Sequence, residues 1–184
     1  MARWEGNTRR RLERAALDLF REQGYDGTTV AEIAQRANLT ERSFYRWFTD
    51  KREVLFGDDD LEACYLPAIE AAPDGLGALP TLLAAFASTP QVLRPREFLI
   101  ERAAVIAASP PLQERELIKM VTLSEKLVAA LVRRGYDDQT ASLATDVGSA
   151  ILRLATRRWI LGDDSDFADL LAAARQDLLD VARP

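Results

Sequence analysis

Between residues 40 and 47 the chain reads Thr-Glu-Arg-Ser-Phe-Tyr-Arg-Trp, a set of side chains suited to recognition rather than to reaction. An arginine fork matches the O6 and N7 acceptors of guanine, serine serves either as donor or acceptor, and tyrosine hydroxyls commonly hold phosphate. Helical spacing turns Phe44 and Phe48 to one side and leaves Glu41, Arg42, Ser43, Tyr45, Arg46 and Trp47 on the other. Reactive chemistry is poorly supplied by comparison. The chain has no histidine and one cysteine, Cys64, which removes imidazole acid–base catalysis, Ser–His and Cys–His pairs and any intrachain disulfide. The three aspartates at 58–60 cannot all face one ion from a helix and read as a solvated acidic bend or a helix with a poor turn. No catalytic residue, metal ligand set or cofactor is expected, and Cys64 reads as a small buried hydrophobe rather than a redox sensor.

The elements that must position the polar face lie in residues 28–55, TTVAEIAQRANLTERSFYRWFTDKREVL. Thr29 followed by Glu32 is a capping-box pattern, in which the hydroxyl accepts from a backbone N–H and the carboxylate reaches back. Val30, Ile33, Ala34 and Ala37 then face a small core over a helix at 30–37. Asn38 stands where the chain must turn sharply, and asparagine tolerates the left-handed conformation best after glycine. Leu39 plugs the turn, and Thr40 caps the next helix, 41–48. Asp50 and Glu53 repeat the capping-box pattern for a fourth helix beginning at Lys51. Two short helices joined by a tight turn are a helix-turn-helix, whose second helix enters the major groove of DNA.

The rest of the chain is helical in its periodicity. Leu12, Ala15, Ala16, Leu19 and Phe20 make an apolar stripe on a first helix that Gly24 can stop. Further helices are expected at 76–88, 97–108, 112–134, 138–161 and 165–181, with less regular sequence at 57–96. Ala144, Val147, Gly148, Ile151 and Ala155 form a face of small residues over which another helix can approach closely. The fold class is all-α: an N-terminal three-helix domain carrying the helix-turn-helix, followed by a larger helical body. The expected division is 1–50 for the helix-turn-helix domain and 51–184 for the larger helical body.

The net charge of −5 is unevenly spread. Residues 1–55 carry 11 Lys+Arg against 9 Asp+Glu, and the remainder carries 13 against 20. An acidic body with a locally basic end, including Arg9, Arg10, Arg11 and Arg14, is compatible with attraction to phosphate. No segment has the length and apolarity of a membrane span, and the N-terminus lacks a signal-peptide pattern, so a cytoplasmic location is expected.

Residues 29–55 resemble the DNA-binding signature of the TetR/AcrR family, T-V-x-x-I-A-x-x-A-x-[VL]-[ST]-x-x-x-[FL]-Y-x-[HYW]-F-x-x-K-x-x-[LV]-[LF]. The one main departure is Asn38, where the family usually has glycine. The resemblance implies a homodimer that binds a pseudo-palindromic double-stranded operator, commonly as a repressor released by a small-molecule effector. Carried over position by position, it sets Thr40, Arg42 and Ser43 near base edges, Tyr45 on phosphate, and Arg46 and Trp47 at base or backbone. Thr29 and Lys51 would add phosphate contacts. It also implies a four-helix dimer interface from the last two helices, about 138–181. An effector pocket would draw on apolar residues of the body such as Phe86, Phe98, Ile106, Met120, Leu123 and Trp159. Two alternatives stay open: an activator of the same fold, and an all-α enzyme or adaptor with a vestigial helix-turn-helix.

Overall fold

The computed structural model describes residues 2–56, 60–162 and 165–183. Every regular element among them is helical: α1 (Ala2–Gln23), α2 (Val30–Arg36), α3 (Glu41–Tyr45), α4 (Asp60–Glu70), α5 (Ala78–Phe86), α6 (Arg96–Ala107), α7 (Pro110–Arg133), α8 (Asp138–Ile160) and α9 (Phe167–Val181), with short 3₁₀ turns at Arg52–Leu55 and Thr89–Gln91. The all-α expectation therefore holds. The acidic bend expected at 58–60 falls on residues outside the described set, apart from the backbone of Asp60, which opens α4.

The chain divides into two units that do not follow one cut in the sequence. The first unit is Met1–Asp59 together with Arg96–Ile118, and the second is Asp60–Pro95 together with Lys119–Pro184. The first is built on the stripe of α1. Leu12, Ala16, Leu17 and Phe20 meet Ile33, Ala37, Phe44 and Phe48, and Val105, Ile106 and Leu112 from α6 and α7 close the same core. Gly24 stops α1 as expected, in the left-handed region at φ 79°.

Polar contacts fix the returning segment to that core. Arg115 grips both oxygens of Glu53, with Nη2 at 2.9 Å from Oε2. Arg102 donates from Nε to the Leu55 carbonyl at 2.8 Å and stacks 4.8 Å above the Phe56 ring. Glu101 is held between Arg14 at 2.8 Å and Arg21 at 3.2 Å. The expected capping box of a fourth helix is thereby altered. Asp50 caps as anticipated, accepting from Arg52 N at 2.7 Å and Glu53 N at 3.3 Å, but Glu53 turns to Arg115 instead of reaching back. The helix expected from Lys51 is a single 3₁₀ turn, and α4 starts only at Asp60.

In the second unit α5, α8 and α9 enclose Tyr65, Leu82, Phe86, Leu131, Ile151 and Leu170. The small-residue face of α8 is used inside this unit. A Cβ on Gly148 would stand 3.4 Å from both Leu82 Cδ1 and Phe86 Cε2, so α5 already occupies the close approach. That face is not open to a second subunit, whereas Leu143, Leu178, Leu179 and Val181 of α8 and α9 are exposed. Among the described residues no helix is long and apolar enough to cross a membrane.

Ile106 is only 3% exposed and belongs to the first unit's core. Ile106→Ala should therefore cost about 2–5 kcal/mol by cavity formation. Urea denaturation followed by the fluorescence of Trp47, which packs against that core, should show the loss. An unchanged midpoint would separate α6 from that core.

Candidate nucleic-acid interface

Residues 28–48 build a rigid bracket from local rules. Thr28 is buried and donates its hydroxyl to the Gly24 carbonyl at 2.8 Å, fixing the end of α1. Thr29 then caps α2 with both halves of the capping box in place. Glu32 N donates to Thr29 Oγ1 at 3.2 Å, and Thr29 N and its hydroxyl both donate to Glu32 Oε2 at 2.8 Å. These donors, the backbone N–H of Thr29 first and its hydroxyl second, hold the Glu32 carboxyl below its ordinary value.

The turn that separates α2 from α3 is set by Asn38, the residue with φ 50° in the left-handed region. Leu39 N donates back to the Ala34 carbonyl at 2.8 Å and Asn38 N to the Gln35 carbonyl at 2.9 Å, closing the helix end. Arg11 reaches from α1 to the same end, donating to the carbonyls of Ala37 and, at 3.4 Å, of Asn38. A guanidinium at a helix C-terminus satisfies orphan carbonyls and complements the dipole. Sequence reading missed this role, because the contact spans 26 residues and has no local signature.

Thr40 caps α3 by accepting from Ser43 N at 3.3 Å, and the two hydroxyls lie 3.1 Å apart. Phe44 is fully buried and Phe48 nearly so, their rings 5.3 Å apart, which rolls the polar residues outward. Thr40, Arg42, Ser43, Tyr45 and Arg46 line an open concave surface of about 660 Å³. Arg42 and Arg46 have no carboxylate partner among the described residues, and Tyr45 is 55% exposed. Trp47 sits differently from the expected outer face. It is half-buried against the first unit's core, and its indole N–H is enclosed without an acceptor among the described residues. Arg46 lies over its ring at 5.6 Å.

Thr29 is exposed at the start of α2, but Lys51 is engaged elsewhere. Its ammonium donates to the carbonyls of Tyr25 and Thr28, each at 2.7 Å, and sits 4.1 Å from the Tyr25 ring centroid. Burial pushes it below its usual value, against the opposing pull of Asp26 and Glu32. Two of its three N–H groups are thus spent on tying the α1–α2 connection to the residues after α3. The apolar residues expected to line a pocket are divided between the two units. Phe86, Leu123 and Trp159 belong to the second unit's cluster, Phe98 and Ile106 pack in the first unit, and Met120 is 45% exposed.

A capped helix, a left-handed turn and a second capped helix with a free polar face define a helix-turn-helix DNA-binding module. The comparisons with known proteins agree. Residues 13–57 match the family described as bacterial regulatory proteins, tetR family. The HTH-type transcriptional regulator TcmR of Streptomyces glaucescens is 32% identical over 189 residues, covering 96% of this chain and 83% of TcmR. The chain belongs to the TetR family of bacterial transcriptional regulators, and it is therefore a DNA-binding regulator and not an enzyme. Two solved structures share the fold at low identity. FadR of Thermus thermophilus, a TetR-family transcriptional repressor in complex with lauroyl-CoA, gives a TM-score of 0.55 at 22% identity over 96% of this chain and 95% of its own. A Clostridium perfringens putative fatty acid metabolism regulator gives 0.56 at 19% identity over 95% and 99%.

Two outcomes follow for the bracket. Asn38→Val should destabilise by about 1–2 kcal/mol, because a β-branched residue resists the left-handed region, while Asn38→Gly should be neutral or slightly stabilising. Thermal denaturation of both variants checks this, and equal effects would remove the turn's constraint. The second concerns pH. Because the Glu32 carboxyl is depressed below 4.5 in the fold, its contribution is complete above that value and fades as pH falls through the lower, folded one. The stability difference between the native chain and Glu32→Gln should therefore shrink on acidification below about pH 4. A difference that grows instead contradicts the capping role.

Proposed function

We propose that the protein is a homodimeric repressor that occupies a pseudo-palindromic operator and is released from it by a small-molecule effector. The observation that carries this reading is the α3 face: a short helix capped at Thr40, anchored by Phe44 and Phe48, and presenting Arg42, Ser43, Tyr45 and Arg46 on an open surface, with neither arginine paired to a carboxylate among the described residues. Arg42 and Ser43 would reach base edges together with Thr40, Tyr45 would hold phosphate, and Arg46 would act at base or backbone beside Trp47. Thr29 and the remaining N–H of Lys51 would add phosphate contacts. Such a regulator works in the cytoplasm, where its operator is.

Dimerisation would use the exposed apolar side chains of α8 and α9, Leu143, Leu178, Leu179 and Val181. Two copies would then place their α3 helices about 34–36 Å apart or somewhat more, matching successive major grooves. Repression is supported by the Thermus thermophilus neighbour, a transcriptional repressor, whose bound lauroyl-CoA also supports an effector site in a body of this fold. Phe86, Leu123 and Trp159, with Met120 at the rim, are the side chains of the second unit that would serve it. An effector shifts the equilibrium only by its differential affinity for the DNA-competent and incompetent states.

Fluorescence anisotropy with operator DNA, obtained by selection from a random pool, tests the reading. The native chain should bind as a dimer, prefer the selected site over a scramble, and lose affinity steeply with added salt. Arg46→Ala should weaken binding by about 1–3 kcal/mol. Failure to select any site would overturn the DNA-binding role. A reporter that rises when the protein is supplied would replace repression by activation.

A further inference from the structure

We propose that Glu41 is a specificity-determining residue of the α3 face, accepting a hydrogen bond from the N4 amino group of a cytosine in the operator. The inference rests on the DNA-binding reading above and assigns one base within it. Glu41 is the first residue of α3 and is exposed. Its neighbours on either side, Thr40 and Arg42, both line the concave surface.

What singles out Glu41 is the absence of an internal role. Most carboxylates between residues 8 and 56 are occupied: Glu13 by Arg9, Asp18 by Arg14, Glu22 by Arg36, Glu32 by Thr29, Asp50 by Arg52 and Glu53 by Arg115. Asp26, the other one outside such pairs, lies in the turn after α1, where it acts on Lys51 through space. Glu41 has no hydrogen bond or ion pair among the described residues, although arginines stand beside it at 42 and at the helix cap, 46. An isolated carboxylate on the surface that approaches a polyanion weakens binding to every sequence unless a donor meets it. In the major groove the base-edge donors are the amino groups of cytosine and adenine. A carboxylate, which only accepts, suits the cytosine amine, whereas adenine pairs its amine with the N7 acceptor and suits an amide. The first residues of a recognition helix are also those that reach base edges.

The same charge therefore acts twice. Against the cognate base it gains a charge-assisted hydrogen bond, and against any other sequence it remains a repulsive group near phosphate. Discrimination comes as much from the weakened wrong complexes as from the strengthened right one.

The test is base-by-base selection and anisotropy on the full-length native chain, Glu41→Gln, Glu41→Ala and Arg42→Ala. The native chain should show a cytosine requirement in each half-site, worth about tenfold in affinity against substitution of that base pair. Glu41→Gln should move the preference at that position to adenine. Glu41→Ala should abolish the preference there and strengthen binding to scrambled DNA several-fold, leaving the other positions unchanged. An unchanged selected sequence in both Glu41 variants overturns the proposal. Arg42→Ala separates the two levels: if it alters the selected site while the Glu41 variants do not, DNA reading stands and the role of Glu41 fails. If none of the chains selects a site, the DNA-binding reading itself fails.

Discussion

The reading face of α3 exists because the chain reverses within two residues at Asn38, and that reversal must be held while a polyanion pulls on one side of it. Backbone hydrogen bonds alone close the end of α2 loosely, since its last carbonyls have no partners within the helix. Two additions make the turn stiff: the left-handed conformation that Asn38 tolerates, and the guanidinium of Arg11 on the Ala37 carbonyl. Phe44 then drops into the pocket between α1 and α2, and the direction of every exposed side chain on α3 follows from where that ring is buried. A shift of the turn by one residue would rotate α3 by about 100° and bury the arginines instead.

The same economy governs the first unit as a whole. Its N-terminal three helices are small, and a domain of that size buries a limited fraction of its surface. Residues 96–118 enlarge it, supplying Val105, Ile106 and Leu112 to the core and Arg102 and Arg115 to the polar clamp around Leu55 and Glu53. Because α7 continues without a break into the residues of the second unit, the segment that completes the DNA-reading core is covalently part of the body that follows it.

Local rules were legible in the sequence and distant ones were not. Caps at Thr29, Thr40 and Asp50, the stop at Gly24 and the turn at Asn38 involve residues within a few positions, where side-chain chemistry and spacing decide the outcome. The inward aromatics of α3 followed from helical period alone. Arg115 on Glu53 and Arg11 on Ala37 join residues 62 and 26 apart, and no single-chain pattern marks them. Trp47 was misplaced for a related reason: an aromatic at the end of a short helix can fold back onto the core once the chain turns. The small face of α8 announced a close helix approach correctly, but periodicity does not say which helix approaches, and α5 takes that place. Pro67 within α4 removes one backbone donor, and the irregular pattern around it concealed a helix.

The charge pattern also changes meaning once partners are known. Read as sequence, a basic excess in residues 1–55 suggests a diffuse field that draws in DNA. In the fold most of that charge is spent. Arg9, Arg14, Arg36 and Arg52 face carboxylates, Arg11 caps a helix and Lys51 holds two carbonyls. Arg10, Arg42 and Arg46 have no carboxylate partner among the described residues, and two of these three lie on α3 or at its C-terminal cap. A protein with a net charge of −5 cannot rely on general attraction to a polyanion. Arg42 and Arg46 stand without carboxylate partners at a surface shaped for a groove, so close fit there must carry much of the binding. Sequence-independent binding scales with the number of phosphates neutralised, and with most cations of residues 9–52 engaged internally, the contacts made by the α3 face weigh correspondingly more.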